Sequence, residues 1–492
     1  MREVVIGLEI HVALNTRSKM FCRCLNDSDS DEPNKNICPI CTGQPGALPV
    51  ANKAAIEKTI KTGMALNCFI PEHSRFDRKN YFYPDLPKGY QISQQDHPLC
   101  SAGYIDLDGK RIRINRIHLE EDAGKLIHQE EGNYSLVDFN RSGTALMEIV
   151  TEPDIRSPLE ARKFVEELRE ILRYLKVSNV DMEKGEMRID ANISISSALG
   201  KMDGGRVEIK NLNSFRSIEK ALHFEVDRQS KILNQGEIIS QQTRGWDDNK
   251  EETIFQRSKE GSADYRYFPD PDLSPIDLTD SLFINVDEIR SSIPELPKEK
   301  RERFGFEYGL SEKEIDFLVK EVVLGDYYEK TISELFNWFK EEKIKKSIED
   351  EDKRKLSRLA ANWLLTDLRA LLKNDGDYQI PITPENFAEL ILMISEEKVS
   401  TSIAKTVLKE MFATGGDPSD IIEDKGLTTI EDDIEVEAIV DLVLSDNPKA
   451  IEDYKKGKEA SIKFLIGQTM AKAGGRVDPK IAERIIKKKI SY

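Results

Sequence analysis

Apolar and polar positions alternate most clearly at the start of the chain. In Val4–Leu14 (VVIGLEIHVAL), Leu8, Ile10 and Val12 are separated by Glu9 and His11. Successive side chains of a strand point to opposite faces. This period of two therefore predicts a strand with one apolar face and one face carrying a carboxylate and an imidazole. The pattern returns in Met187–Ser194 (MRIDANIS), where Arg188, Asp190, Asn192 and Ser194 alternate with Met187, Ile189, Ala191 and Ile193. It returns again in Arg206–Lys210 (RVEIK). One such strand can carry polar residues for solvation alone. Three predict a sheet whose outer surface is a working floor.

Elsewhere the period lengthens to that of a helix. Asn52–Leu66 places Ala55, Ile56, Ile60, Met64 and Ala65 on one stripe, with Asn52 as its cap. Ser157 and Pro158 open a second helix with Phe164, Val165, Leu168, Ile171, Leu172 and Leu175 on its buried side. Past Ser291-Ser292-Ile293-Pro294 the helical period takes over: Lys313–Val322, Lys330–Glu342, Leu356–Lys373 and Asn386–Ser395, to about Val399. Ser400–Met411 and Glu435–Leu444 continue it.

At 492 residues the chain is too long for one core, and two to four domains are expected. No apolar run approaches the ~20 residues of a membrane span. The first residues lead into a strand without the pattern of a secretory signal. The expectation is a cytoplasmic protein that contacts no membrane. Net charge is −17, so RNA binding would need a local basic patch. Lys449–Tyr492 supplies one, with twelve Lys/Arg against five Asp/Glu. A solvated helical surface is the plainer reading of that charge.

Four of the six cysteines fall together, Cys22, Cys24, Cys38 and Cys41, in a loop otherwise rich in Asn, Asp and Ser. Two close pairs across a loop predict a structural Zn²⁺ site in preference to free thiols. Four thiolates leave no open position for water, which argues against catalytic zinc. Residues 111–122 (RIRINRIHLEED) predict a strand ending in Glu120, Glu121 and Asp122, and its alternation slips near Asn115, the mark of a bulge. Glu148 stands in an apolar strand that follows Ser142-Gly143-Thr144. Buried unpaired it would be costly, and a metal is one way to satisfy it. Arg75–Gln95 interleaves Arg75, Arg78, Lys79 and Lys88 with five aromatic rings. It is open to two readings: a packed Tyr-rich loop, or a surface that holds a nucleotide by charge and stacking. No P-loop or G-x-G-x-x-G follows a strand.

The strings IGLEIHVAL, CPICTGQPGALPVAN, RKNYFYPDLPKGYQISQ, HLEEDAGK, DFNRSGTALMEIVTEPDI, MRIDANIS, VEIKNLNSFRSIEKAL, EGSADYRYFPDPDL and FLIGQTM occur in this order over almost the whole chain. They resemble the B-subunit family of the aspartyl/glutamyl-tRNA(Asn/Gln) amidotransferases.

The resemblance implies an α+β chain. Its parts are an N-terminal mixed-sheet catalytic cradle over 1–293, an all-helical domain over 294–399 and a small YqeY-like helical tail over 400–492. It implies ATP-dependent phosphorylation of the side-chain carboxylate of Glu-tRNA(Gln) or Asp-tRNA(Asn), then displacement of phosphate by ammonia. That ammonia comes from glutamine, released by the glutaminase or A subunit, and the C subunit completes a heterotrimer. The implied Mg²⁺ and kinase site is Glu9, His11, Glu121, Glu148 and Asp190, with Glu120 behind them. A histidine ligand marks a site that also accepts Mn²⁺. Lys79, Tyr81, Lys88, Ser142, Thr144, Arg188 and Asn192 are the implied ATP and substrate contacts. Lys79 and Lys88 are open to a second role along the ammonia route. Cys22, Cys24, Cys38 and Cys41 match members that carry zinc, and Lys458, Lys463 and Lys472 lie where the family meets tRNA. Glu186 stands where the family usually has a small residue, with two expected consequences: weaker ATP binding or an added ligand. The rival expectation is a non-catalytic, zinc-containing tRNA-binding scaffold.

Overall fold

A computed structural model describes residues 2–27, 30–129, 132–196, 205–258, 264–342, 350–372, 379–427, 433–474 and 476–490. Two compact units divide the chain, Met1–Pro297 and Lys298–Tyr492.

The first unit is built on an eight-stranded mixed sheet. Its strands are β1 (Glu3–Ala13), β2 (Cys100–Leu107), β3 (Lys110–Glu121), β4 (Ala145–Thr151), β5 (Met187–Ser196), β6 (Val207–Leu212), β7 (Gln242–Asp247) and β8 (Glu252–Ser258). Across the sheet the order is β8-β7-β6-β5-β1-β4-β3-β2, with β6 and β7 parallel and every other neighbour antiparallel. The earliest strand therefore runs through the middle. Ile6, Leu8, Ile10 and Val12 of β1 share one hydrophobic core with Met187, Ile189, Ala191 and Ile193 of β5. Three helices supply the other half of that core: α1 (Lys53–Ala65), α2 (Pro158–Tyr174) and α3 (Phe215–Asn234). The sequence expectations for α1 and α2 hold at their caps. Asn52 accepts from the Ala55 amide, Ser157 accepts from the Glu160 amide, and Pro158 takes the first turn of α2.

The bulge expected near Asn115 is present, between Ile114 and Arg116 of β3. It resets the parity of the strand. Ile112 and Ile114 point to the core before it, and Ile117 and Leu119 point there after it. Arg116, His118 and Glu120 are thereby turned to the opposite face.

The second unit is helical. Its helices include α4 (Glu312–Lys320), α5 (Val322–Glu342), α6 (Asp350–Trp363), α7 (Pro384–Ser395), α8 (Thr401–Thr414) and α9 (Pro418–Asp424), then α10 (Asp433–Asp446), α11 (Pro448–Lys455), α12 (Ala460–Lys472) and α13 (Pro479–Ile490). α7 packs on α5 and α6, and both α8 and α9 pack on α7. The last four helices close around a core of their own that includes Val436, Val440, Leu465, Val477 and Ile486. Ser400 caps α8, its side chain accepting from the Ile403 amide. Among the described residues no helix is long and apolar enough to cross a membrane.

Candidate functional site

Strand pairing brings five segments together on the sheet face away from α1–α3. Glu9 lies opposite Asp190, and His11 lies opposite both Arg188 and Glu148. Glu148 in turn lies opposite His118, and Asn192 opposite Glu208. Directly opposed residues on paired strands share a face, so register alone gathers these groups. Two acidic trios result. One ligand atom from each of His11, Glu120 and Glu148 lies within 4.8 Å of the others, and the same is true of Glu9, Asp190 and Glu208.

In the first trio, His11 Nε2 is 3.4 Å from Glu148 and 3.6 Å from Glu120. His118 approaches Glu148 from the other side at 3.3 Å. In the second, Lys210 bridges Asp190 and Glu208, Asn192 donates to Glu9 at 3.0 Å, and Thr243 donates to Glu208 at 2.8 Å. Arg188 reaches Asp122 at 2.9 Å.

The charges respond to one another. Burial works against a charged His11, but the Glu148 hydrogen bond and the negative charges of Glu148 and Glu120 raise it to about 9. Burial would raise Glu148, yet His118 and His11 hold it well below the usual carboxylate range. Glu9 is raised by burial and then by Glu148, Glu208 and Asp190. Burial disfavours the charge on Lys79, but Glu120, Tyr267 and Glu148 outweigh it and raise the ammonium. Lys79 therefore feels the first trio, and its Nζ lies 5.0 Å from the Tyr265 ring centre.

Of the expected metal set, Glu9, His11, Glu148 and Asp190 converge on this face and Glu121 does not. Glu121 follows the parity of Ile117 and Leu119. Its carboxylate pairs with Lys88 and accepts from the Ile92 amide at 2.9 Å. Glu120 takes its place beside His11. Lys88 consequently anchors the Glu121 side chain. Arg188 and Asn192 lie on the acidic face as expected. Tyr81 meets Tyr265 edge-on with centroids 6.1 Å apart. Ser142 turns away from the face and donates to the Cys41 carbonyl oxygen at 3.2 Å, and Thr144 is buried. Glu186 adds no ligand: its carboxylate accepts from Asn179 at 3.2 Å and from the Asp181 amide at 3.1 Å, closing the turn before β5.

Sequence reasoning passed over His118 as a site residue and left Glu208 and Lys210 as pattern. The signal for His118 was its spacing of two from Glu120 beyond the bulge. For Glu208 and Lys210 it was the alternation that identified the strand.

The cysteine loop forms a second centre. One Sγ from each of Cys22, Cys24, Cys38 and Cys41 lies within 4.8 Å of the others, and the Cys38 and Cys41 sulfurs are 3.9 Å apart. Tetrahedral metal–thiolate bonds of about 2.3 Å put sulfurs roughly 3.8 Å apart, so the donor set fits a closed four-sulfur site. The Cys41 thiol is held low by the Cys22 hydrogen bond, against burial, with help from the Cys38 amide and Lys19. Hydrogen bonds tie the loop to the segment before β4: Asn34 Oδ1 accepts from the Phe139 amide at 2.8 Å, and Asn140 Oδ1 accepts from the Asn36 amide at 2.9 Å.

In the second unit, Lys463 of α12 is exposed beside the half-exposed Phe464. Lys458 pairs with Asp453 at 3.2 Å and Lys472 with Asp446 at 2.6 Å.

A family described as the GatB/GatE catalytic domain matches residues 4–284, and one described as the GatB domain matches residues 342–490. The B subunit of the aspartyl/glutamyl-tRNA(Asn/Gln) amidotransferase of Thermotoga maritima is 46% identical over 495 residues, covering 98% of each chain. The proteins of the same name from Dehalococcoides mccartyi and Thermosipho melanesiensis are 47% and 46% identical, over 99% and 98% of this chain and 98% of theirs. The chain belongs to the B-subunit family of the aspartyl/glutamyl-tRNA(Asn/Gln) amidotransferases. Both acidic trios and the cysteine loop lie inside the match to the GatB/GatE catalytic domain, and the basic tail lies inside the match to the GatB domain.

Proposed function

We propose that this chain activates the side-chain carboxylate of an amino acid esterified to tRNA by ATP-dependent phosphorylation, and presents the acyl phosphate to ammonia. The substrates are Glu-tRNA(Gln), Asp-tRNA(Asn) or both, converted to Gln-tRNA(Gln) and Asn-tRNA(Asn). It works in a cytoplasmic heterotrimer as the B subunit, together with the glutaminase or A subunit, which releases the ammonia, and the C subunit. In enzyme terms it is a ligase forming carbon–nitrogen bonds with glutamine as the amide donor.

One observation carries this reading: a single sheet face presents two acidic trios flanked by Lys79, Arg188 and Lys210. A carboxylate is a poor electrophile because oxide would have to leave, and converting it to an acyl phosphate supplies a leaving group. Bringing that carboxylate up to ATP requires its charge to be offset. His11, Glu120 and Glu148, with Glu9 and Asp190 alongside, would hold Mg²⁺, which neutralises phosphate charge when bound. Arg188, held by Asp122, and Lys79 would face phosphate oxygens. The ring row Tyr81, Tyr265 and Tyr267 beside Lys79 offers the site an apolar wall. Cys22, Cys24, Cys38 and Cys41 would hold a structural Zn²⁺, with no position left for a reacting water.

The test uses the reconstituted three-component complex with each misacylated tRNA, ATP and glutamine. His11→Ala and Glu148→Gln are expected to abolish ATP hydrolysis that depends on charged tRNA, while tRNA binding persists. Unchanged hydrolysis in both variants would reduce the chain to a binding scaffold.

A further inference from the structure

Lys19 is a cation with none of its surface exposed. Its Nζ lies 3.2 Å from the Phe139 carbonyl oxygen and 3.9 Å from Cys41 Sγ. Its stem packs beside Cys41 against Gly143, where an added Cβ would come 3.5 Å from Cys41 Cβ and 3.6 Å from Lys19 Cδ. Among the described residues no carboxylate pairs with it. A buried ammonium surrounded only by neutral groups is expensive, and buried charges are retained where an opposite charge meets them. A neutral Cys41 thiol does not meet that need. A metal-bound thiolate does, and a divalent ion held by four thiolates keeps two negative charges that the surrounding fold must offset.

We infer that Lys19 is the charge-compensating hydrogen-bond donor of the four-cysteine metal centre, pairing with the coordinated Cys41 thiolate. The inference rests on reading Cys22, Cys24, Cys38 and Cys41 as a zinc site and adds to it a cation from outside the ligand set. An N–H donated to a coordinated sulfur withdraws electron density from it. The thiolate becomes less basic and less reactive toward electrophiles, and the metal is held more firmly. The same ammonium donates to Phe139, which the loop also holds through Asn34. The charge of the metal centre and the course of the chain into Ser142-Gly143-Thr144 are thereby joined at one side chain.

The test compares full-length wild type, Lys19→Met and Lys19→Arg after loading with zinc. Zinc per chain is measured, then its release to a chromogenic chelator under iodoacetamide. Lys19→Met is expected to bind one zinc and release it about tenfold faster or more, and Lys19→Arg to stay near wild type. Release from Lys19→Met within about twofold of wild type, at equal zinc content, overturns the role of Lys19. Wild type that takes up no zinc overturns the zinc reading itself. Should Lys19→Met fail to fold, acetic anhydride labelling of wild type decides the matter. Lys19 is expected to resist acetylation with zinc bound and to become reactive once a chelator removes it, and equal labelling in both states overturns the inference.

Discussion

His11 and Glu148 face each other directly across β1 and β4, with the imidazole Nε2 3.4 Å from the carboxylate. The pair is a stability device as well as part of the proposed ligand set. The ordinary imidazole value is 6.5, and Glu148 and Glu120 raise His11 to about 9 against the effect of burial. A raised group gives stabilisation that is fully present below its unfolded value and is lost as pH climbs through the folded one. In chelator, the melting temperature of the wild-type protein is expected to fall between pH 7 and pH 10 by more than that of His11→Gln. Parallel profiles for the two proteins would show that the imidazolium contributes nothing. Glu148 acts at the other end. Its lowered value gives stabilisation present above about 4.5 and lost on acidification.

Glu120 and Glu121 are neighbours on opposite faces of β3, Glu120 beside His11 and Glu121 against Lys88. If the His11 trio holds the metal as proposed, Glu120→Gln is expected to weaken Mn²⁺ binding by about tenfold or more, because it removes a carboxylate oxygen from that trio. Glu121→Gln is expected to leave Mn²⁺ affinity within about threefold. It should instead lower stability by about 1–3 kcal/mol by leaving Lys88 without its partner. Titration with Mn²⁺ by electron paramagnetic resonance separates the two. The reverse ranking would show that the parity set by the bulge is wrong.

His118 is buried and reaches Glu148 at 3.3 Å without being one of the grouped ligand atoms. It is expected to position the carboxylate. His118→Phe should weaken Mn²⁺ binding by about 10–100-fold, and His118→Gln, which keeps a donor, should recover part of the loss. If the two variants bind Mn²⁺ alike, the donor is irrelevant.

Lys210 sits on Asp190 and Glu208, with Glu9 close by. Lys210→Met leaves three carboxylates facing one another, and a loss of about 1–3 kcal/mol is expected in urea unfolding, because the partly exposed ammonium is screened by water. Adding Glu208→Gln should restore part of it, since one repelling charge is gone. A double variant as weak as the sum of the two single ones would show that the groups do not interact.

In the tail, exposed Lys463 is expected to matter more for RNA than Lys458 or Lys472, each held by an acidic partner. Lys463→Glu should weaken tRNA binding and reduce its salt dependence by about one counterion. Lys458→Ala and Lys472→Ala should do so by less. Filter binding across a salt series reads both quantities.

Much of this architecture was legible in the chain. The alternation at Glu9 and His11, at Arg188 and Asp190, and at Glu208 identified three strands and their polar faces, because a strand repeats every two residues without exception short of a bulge. The slip at Asn115 revealed that one strand breaks this rule. Choosing between Glu120 and Glu121 required counting onward from the slip, and the family pattern drew the choice to Glu121. The caps Asn52 and Ser157 were readable because each satisfies local amides. Which strands lie side by side was not readable. That β1 and β3 flank β4 is decided by packing among distant segments, and so His118 could not be seen to share the Glu148 carboxylate.

β1 is made first and sits in the middle of its sheet. Both of its neighbours arrive much later, at Ala145–Thr151 and Met187–Ser196. At about 5–20 residues per second, the ribosome leaves this strand with two open edges for roughly seven to thirty seconds. During that interval Ile6, Leu8, Ile10 and Val12 form an adhesive ribbon on the nascent chain, a target for chaperones and for other copies emerging nearby. A messenger truncated before codon 145 would release that ribbon permanently, so quality control of translation bears directly on the fate of this polypeptide.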